Sequence, residues 1–281
     1  ITGGRTPFID TDKEKNTIYL RQDKGSRGRP RPSNDLTQTV LSSVNTTEFP
    51  HALAVRQAMQ RWYFFQLNPD ELRKPASMLT AGELMGYDGS NLAGMLFAMK
   101  AQNQYVMNDI SRTMAQLVTG VQKVDTVKDE VEKRYVVQIT MTNKQVFTAS
   151  VLSEGTLRML ALCALLYNPN YQGTFCFEEP ENGIHPARIR YVLNLFRQIA
   201  AAKNDGEKMP IYRQVVINTH SPLVIAALKK DYNTPFVDIY FARFAGHSSG
   251  INISKFLHIP KQSQQSEVFT QEEADRKSTR L

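Results

Sequence analysis

Three short stretches carry side chains whose types and spacing could do chemistry. In Phe175-Cys176-Phe177-Glu178-Glu179-Pro180 an apolar run stops at two adjacent carboxylates. Like charges side by side at a buried edge repel, so a cation or a proton must offset them. Successive side chains on a strand point to opposite faces, which predicts two different jobs. Glu178 would face a bound Mg²⁺ and its waters, while Glu179 would orient an attacking water. A plain strand end with solvated acids would contain the same residues.

The second stretch is Leu152-Ser153-Glu154-Gly155-Thr156-Leu157-Arg158, directly ahead of an apolar run. Ser153 is a natural helix cap and Gly155 lets another backbone come close. The N–H groups of the first helical turn then form an anion site, and Arg158 adds positive charge one turn in. An ordinary capping serine would read the same way. In the third stretch, Val215-Val216-Ile217-Asn218-Thr219-His220-Ser221-Pro222, an apolar strand ends in a histidine. In open α/β sheets ligands gather outside the carboxyl ends of the strands, so Glu178 and His220 share a crevice if their strands are neighbours. A structural histidine is the alternative.

These stretches need elements to hold them. After Leu152 the pattern alternates: a helix over 155–167, a buried strand over 174–177, a helix over 186–202, a strand over 214–218 and a helix after Pro222. Strands separated by single helices predict an α/β fold with a mostly parallel sheet flanked by helices. Upstream, the apolar spacing from Pro50 to Leu67 predicts a helix with one buried face. Asp88-Gly89-Ser90-Asn91 offers a turn and cap before a helix from Leu92 to Lys100, and a further helix covers 105–117. Period-two alternation over 135–141 and again over 145–147 predicts an antiparallel pair around Thr142-Asn143-Lys144. A last strand pair is expected near 236–241 and 251–253. Thr17 to Leu20 is β-like, and the alternating Pro and Arg of 25–32 predict an exposed loop. The division that follows is residues 1–50 as a β lobe with a basic loop, 51–150 as a helical and antiparallel β accessory region, 151–260 as the chemical core, and 261–281 as a mobile tail.

Composition narrows the classes. The 281 residues carry 34 Lys+Arg against 27 Asp+Glu, a net charge of +7 that favours polyanionic partners. Arg21, Lys24, Arg27, Arg29 and Arg31 concentrate part of it, either as a phosphate-touching loop or as a solvated charge run. Two cysteines inside apolar runs do not make a secreted disulfide framework, so a reducing cytoplasm is expected. No apolar stretch approaches the roughly 18–20 residues of a membrane span, so no membrane partner is expected.

Taken together and in order, the three stretches resemble the distal half of an ATP-binding-cassette ATPase. Leu152 to Arg158 is similar to the LSxGxxR signature, Phe175 to Glu179 to Walker B, Pro180-Glu181-Asn182-Gly183-Ile184-His185-Pro186 to the EEPENGLHP block with its D-loop, and Thr219 to Pro222 to the switch-histidine loop. The branch is the RecF/SMC/OLD-like, AAA-type prokaryotic one. Trp62-Tyr63-Phe64, Leu67-Asn68-Pro69 and Asp88 to Ala93 also match it, so the resemblance covers roughly residues 48–255. It implies ATP and Mg²⁺ as cofactors, with Glu178 at the metal's shell, Glu179 polarising the attacking water and His220 sensing the γ-phosphate. Ser153 and Gly155, with Arg158 behind them, would bind the γ-phosphate of ATP held by a second copy. Asn182 and His185 would communicate across that dimer. Gln66 is not assigned to a Q-loop, because it does not follow a recognisable strand.

One family element has no counterpart: GxxxxGK[ST] occurs nowhere in these 281 residues, and Gly3-Gly4-Arg5 is no substitute. The expectation is a phosphate loop supplied by an upstream segment, which the lack of an initiator Met favours, or by another chain; a degenerate cassette is the third reading. Two functions are open. One is an ATPase that closes as a homodimer or higher oligomer and couples hydrolysis to DNA-associated work such as repair or phage defence. The other is a slow or non-catalytic half-cassette that gates a partner nuclease or toxin. A nuclease within this chain is not expected, because about 60 residues follow His220 and they hold no DxD cluster for two metals.

Overall fold

Trp62-Tyr63-Phe64-Phe65 is a run of four aromatics, and aromatic side chains suit a pleated, half-buried surface. In the computed structural model, which describes residues 7–22, 28–34, 36–80, 82–201, 213–228, 236–246 and 252–259, these four form a strand at the centre of the fold. The helix expected over 50–67 therefore ends early: α1 spans Pro50–Gln60 and β4 spans Trp62–Phe65. Nor does α1 bury a broad face, for of its residues Ala52 alone is buried, and Val55 and Met59 are exposed. The helical spacing across 53–65 was the sum of a surface helix and a strand.

Strand β4 pairs in parallel with β9 (Gly173–Glu178), which pairs in parallel with β10 (Arg213–Asn218). Partners align as Phe65 with Phe177 and Ile217, so the three strands reach their carboxyl ends together. One face of this sheet is packed. Tyr63, Phe65, Phe175 and Phe177 stack among themselves, and Phe177 meets Phe196 of α6 (Ile189–Ala201) at 4.7 Å between ring centres. Helix α5 (Glu154–Tyr167) lies in the same core and is buried nearly all round from Gly155 to Leu165. A helix apolar on every side has to be central, since it has no face to offer water. Thus the expected α/β fold, a parallel sheet flanked by helices with antiparallel parts beside it, is the one present.

The elements between β4 and α5 share this core, beginning with the short α2 (Pro69–Leu72); the two helices and the antiparallel pair expected among them form, and two further strands join them. The helices are α3 (Leu92–Gln102) and α4 (Tyr105–Leu117), and the antiparallel sheet consists of β5 (Ala76–Ser77), β6 (Val121–Asp129), β7 (Arg134–Met141) and β8 (Val146–Thr148). Strand β6 went unread in the sequence because Gln122, Lys123, Asp125 and Lys128 break its apolar pattern, although Val121, Val124 and Thr126 are buried. Residues Ile9–Asp12, Thr17–Leu20 and Arg29–Pro32 form a small antiparallel sheet, β1 to β3. The loop expected over 25–32 is thus partly a strand. Its two prolines are tolerated because β3 is the outer strand, where a missing N–H is not missed. A separate cluster of Leu20, Val40, Val44, Phe49 and Ala52 supports this sheet. The last strand pair forms as expected but shifted, with β11 at Tyr240–Gly246 and β12 at Asn252–His258, and it is antiparallel. The expected mobile tail, Gly3-Gly4-Arg5, Lys24 and Arg27 lie outside the described residues.

Candidate functional site

The register of the parallel sheet decides what sits at its carboxyl edge. Glu178 aligns with Asn218, and Gln66, the residue after β4, stands one step beyond the Phe65–Phe177 pair. Gln66 does follow a strand after all. Reading 62–65 as the end of a helix hid it, and the unbroken aromatic run was the clue.

Glu178 is the last residue of β9, with its side chain exposed. Glu179 leaves the strand in a left-handed conformation, with φ +42°. That is an uncommon backbone for a residue with a Cβ, and it persists where surrounding contacts hold it. Here the Glu179 N–H donates to the Asn218 carbonyl across the strand gap (2.9 Å), and Asn182 Nδ2 donates to Glu179 Oε2 (2.7 Å). The two glutamates are therefore separated by a kink as well as by strand alternation. Oε1 of Glu179 faces His220, whose Nε2 is 3.9 Å away. That gap is too long for a direct hydrogen bond, and the His220 side chain is 83% exposed. The pair can hold a water between them, which donates to Glu179 and accepts from His220.

Helix α5 starts beside the same turn. Ser153 caps it: Oγ accepts from the Thr156 N–H (3.3 Å) and pairs with Thr156 Oγ1 (2.8 Å). Gly155 has a packing reason to be glycine, since a Cβ there would stand 2.9 Å from the carbonyl oxygen of Gly183. Gly183 itself has φ +71°, and a Cβ on it would meet Glu154 Oε2 at 3.0 Å and Arg158 Nε at 3.8 Å. The backbone that Gly155 admits is thus the chain's own. Arg158 is half-buried, and burial pulls its pKa down against the opposing pull of Glu154. His185 is exposed and turned onto its own 3-10 turn, Pro186–Arg188, where Nδ1 accepts from the Ala187 N–H (3.3 Å).

The fold therefore brings Glu179, Asn182 and His220 into one cluster, with Glu178 and Gln66 at the same sheet edge. Ser153, Gly155 and Arg158 join it through the Gly155–Gly183 contact, while His185 points elsewhere. Among the described residues no group of three or more His, Cys, Asp or Glu is placed to cage a metal ion. A single exposed carboxylate still fits Mg²⁺, which keeps several waters and takes one or two protein carboxylates together with phosphate oxygens.

A family model described as "AAA domain, putative AbiEii toxin, Type IV TA system" matches residues 61–226. No curated protein matches the chain. Among solved structures, the Smc head domain with coiled coil and joint from Pyrococcus yayanosii is similar at 13% identity and a TM-score of 0.40, over 63% of this chain and 29% of that one. An SmcHead bound to the C-winged helix domain of ScpA is similar at 12% identity and a TM-score of 0.45, over 71% of this chain and 56% of that one. The chain thus spans less than two thirds of the length of either. The Thermotoga maritima SMC head domain is similar at 12% identity and a TM-score of 0.36, over 59% and 52%. No helix among the described residues is long and apolar enough to cross a membrane.

Proposed function

We propose, from the premise that this chain belongs to the AAA-domain family described as "putative AbiEii toxin, Type IV TA system", that it is an ATP-hydrolysing subunit. Two copies close on ATP, and hydrolysis drives work on DNA in repair or in defence against phage. The observation that carries this reading is Glu179, held left-handed at the carboxyl end of a parallel sheet between Asn182 and His220. A carboxylate fixed on one oxygen by an amide and open on the other is suited to orient a water.

The chain's own residues divide the labour. Glu179 aligns the attacking water and accepts its proton, and His220, 3.9 Å from it, donates to a γ-phosphate oxygen. Gln66, one step past β4 at the same sheet edge, would contact the same water. Glu178 would hold Mg²⁺, which when bound neutralises charge on the phosphates. The capped start of α5, with Ser153, Gly155 and Arg158, offers N–H groups and positive charge to the γ-phosphate of the other copy's ATP. Asn182, which is bonded to Glu179, would carry the dimer's state to it, and His185, exposed further along the same turn, would face the other copy.

The phosphate loop comes from outside these 281 residues. Parallel sheets are covered on both faces. Here the second face leaves Trp62 46%, Phe64 61% and Val216 47% exposed. Strand β10 has no neighbour on its outer side among the described strands. A further strand, loop and helix would pair with that edge and cover that face. Net charge +7 and the exposed Arg31 of β3 support a polyanionic partner. The toxin–antitoxin term in the family description supports defence as the setting, with an effector nuclease or toxin as a further partner. Two unpaired cysteines are in keeping with the cytoplasm.

The test is Glu179→Gln in the complete protein. Turnover is expected to vanish while ATP drives accumulation of a dimer, read by phosphate release and light scattering. Hydrolysis at the wild-type rate by that variant would overturn the reading.

A further inference from the structure

The turn that carries Glu179 and the segment that carries His220 belong to different loops, and two cross-links tie them. The first is the backbone bond from the Glu179 N–H to the Asn218 carbonyl, 2.9 Å. The second is made of side chains: the Thr219 hydroxyl donates to Glu181 Oε1, and the same Oγ1 accepts from the Ser221 N–H at 3.0 Å. A hydroxyl has one proton and two lone pairs. Spending the proton on the glutamate leaves a lone pair for Ser221, so both contacts form at once.

The second cross-link has particular weight here. Thr219 directly precedes His220, and Glu181 lies two residues after Glu179. The His220 side chain is too exposed to be held by packing, and no short hydrogen bond binds it to Glu179. Its location is therefore set by the backbone of 219–221, beyond the last ladder pair of β10. Pro222, which opens α7 (Pro222–Leu228), has no N–H with which to anchor that segment. The other oxygen of Glu181, Oε2, is shut away from solvent with no hydrogen-bond partner among the described residues. The carboxyl thus faces into protein, toward Thr219, and is not a solvated surface acid.

We propose that Glu181 is a positioning residue: through Thr219 it sets where His220 stands relative to Glu179, without touching substrate. This rests on the reading of Glu179 and His220 given above. Removing the cross-link lets the His220 segment drift. A misplacement of about 1 Å in such a pair costs on the order of 100-fold in turnover.

The experiment measures ATP turnover in the complete protein for Glu181→Leu, Glu181→Gln, Thr219→Val and Thr219→Ser, alongside Glu179→Gln, with unfolding midpoints for each. Glu181→Leu and Thr219→Val are expected to lower kcat by about 10- to 100-fold while KM for ATP stays within about twofold. Thr219→Ser keeps the hydroxyl and is expected to match wild type. Glu181→Gln keeps a weaker acceptor at the same size and is expected to fall between; it carries the test if the leucine variant does not fold. Hydrogen exchange at the Glu179 amide is expected to quicken in Glu181→Leu, a readout independent of turnover. Wild-type kcat in both Glu181→Leu and Thr219→Val, with Glu179→Gln inactive, would overturn this inference and leave the ATPase reading standing. No turnover in wild type would overturn both.

Discussion

Arg213 opens β10, the strand that leads to His220, and replacing it gives the sharpest stability prediction. Its side chain is buried, with the residue 8% exposed, and its guanidinium reaches the C-terminal end of α5. There Nη1 donates to the Leu166 carbonyl at 3.2 Å and Nη2 to the Asn168 carbonyl at 3.0 Å, while the cation lies 5.9 Å from the Phe175 ring centre. The last carbonyls of a helix lack partners within it, and a cation there also meets the negative end of the helix dipole. Two hydrogen bonds from a charged donor contribute roughly 1.5–3 kcal/mol each, or about 3–6 kcal/mol together. Part of that returns when the cation is removed, because burial disfavours it, as the downward shift of its pKa indicates. The net expected for Arg213→Met, which keeps the apolar length, is a loss of about 2–4 kcal/mol. In a urea titration with m of roughly 2–3 kcal/mol/M, that lowers the midpoint by about 1 M. Arg213→Lys can serve one carbonyl at a time and is expected to lie between. A midpoint for Arg213→Met within about 0.2 M of wild type would refute the reasoning, since the Leu166 carbonyl loses its Arg213 donor and the Asn168 carbonyl keeps only the long bond from the Tyr171 N–H at 3.4 Å.

Two further predictions probe other parts of the fold. Burial raises the Asp125 carboxyl, but hydrogen bonds from Lys100, Lys123 and the Thr126 N–H outweigh it, and the pKa ends below the ordinary value. A carboxyl depressed by folding stabilises above its unfolded pKa, about 3.9, and loses that contribution as pH falls through its folded value. Asp125→Asn should therefore lower the urea midpoint at pH 7, and the gap to wild type should shrink as the pH falls below the unfolded value of about 3.9; a constant gap would refute this assignment. The Cys163 thiol is fully buried and its pKa is pushed far up, whereas Cys176 is half-buried on the uncovered sheet face. A thiol reagent should label Cys176 first and Cys163 only on unfolding, and assembly of the complete protein should slow labelling at Cys176. Equal rates for the two cysteines would contradict the packing described.

Much of the site was legible before any fold was known, because its chemistry is local. The cap at Ser153, the paired carboxylates at the end of an apolar strand and the histidine after the next strand are each contained in six to eight consecutive residues. The alternation of helix and strand after Leu152 was equally plain, since α5 is an apolar run of 14 residues and β9 and β10 are short ones of six each. What escaped notice had its cause at a distance. Four aromatics after a surface helix continue a helical spacing, and only β9, more than a hundred residues on, turns them into a strand and makes Gln66 a neighbour of Glu178. β6 carries too many charges to stand out, and its partner β7 and helix α4 supply the burial that its own pattern does not announce.

The sequence by itself determined the kinds of groups present and the elements that bear them, because capping, alternation and apolar runs are properties of neighbouring residues. Only the tertiary structure decided their use. It kinked Glu179 out of the strand by tying its N–H to Asn218, filled the space left by Gly155 with the Gly183 carbonyl, and set Glu181 against Thr219 across two loops. Those contacts join residues from 28 to 39 positions apart. Their energies depend on distance and burial, which no local pattern encodes.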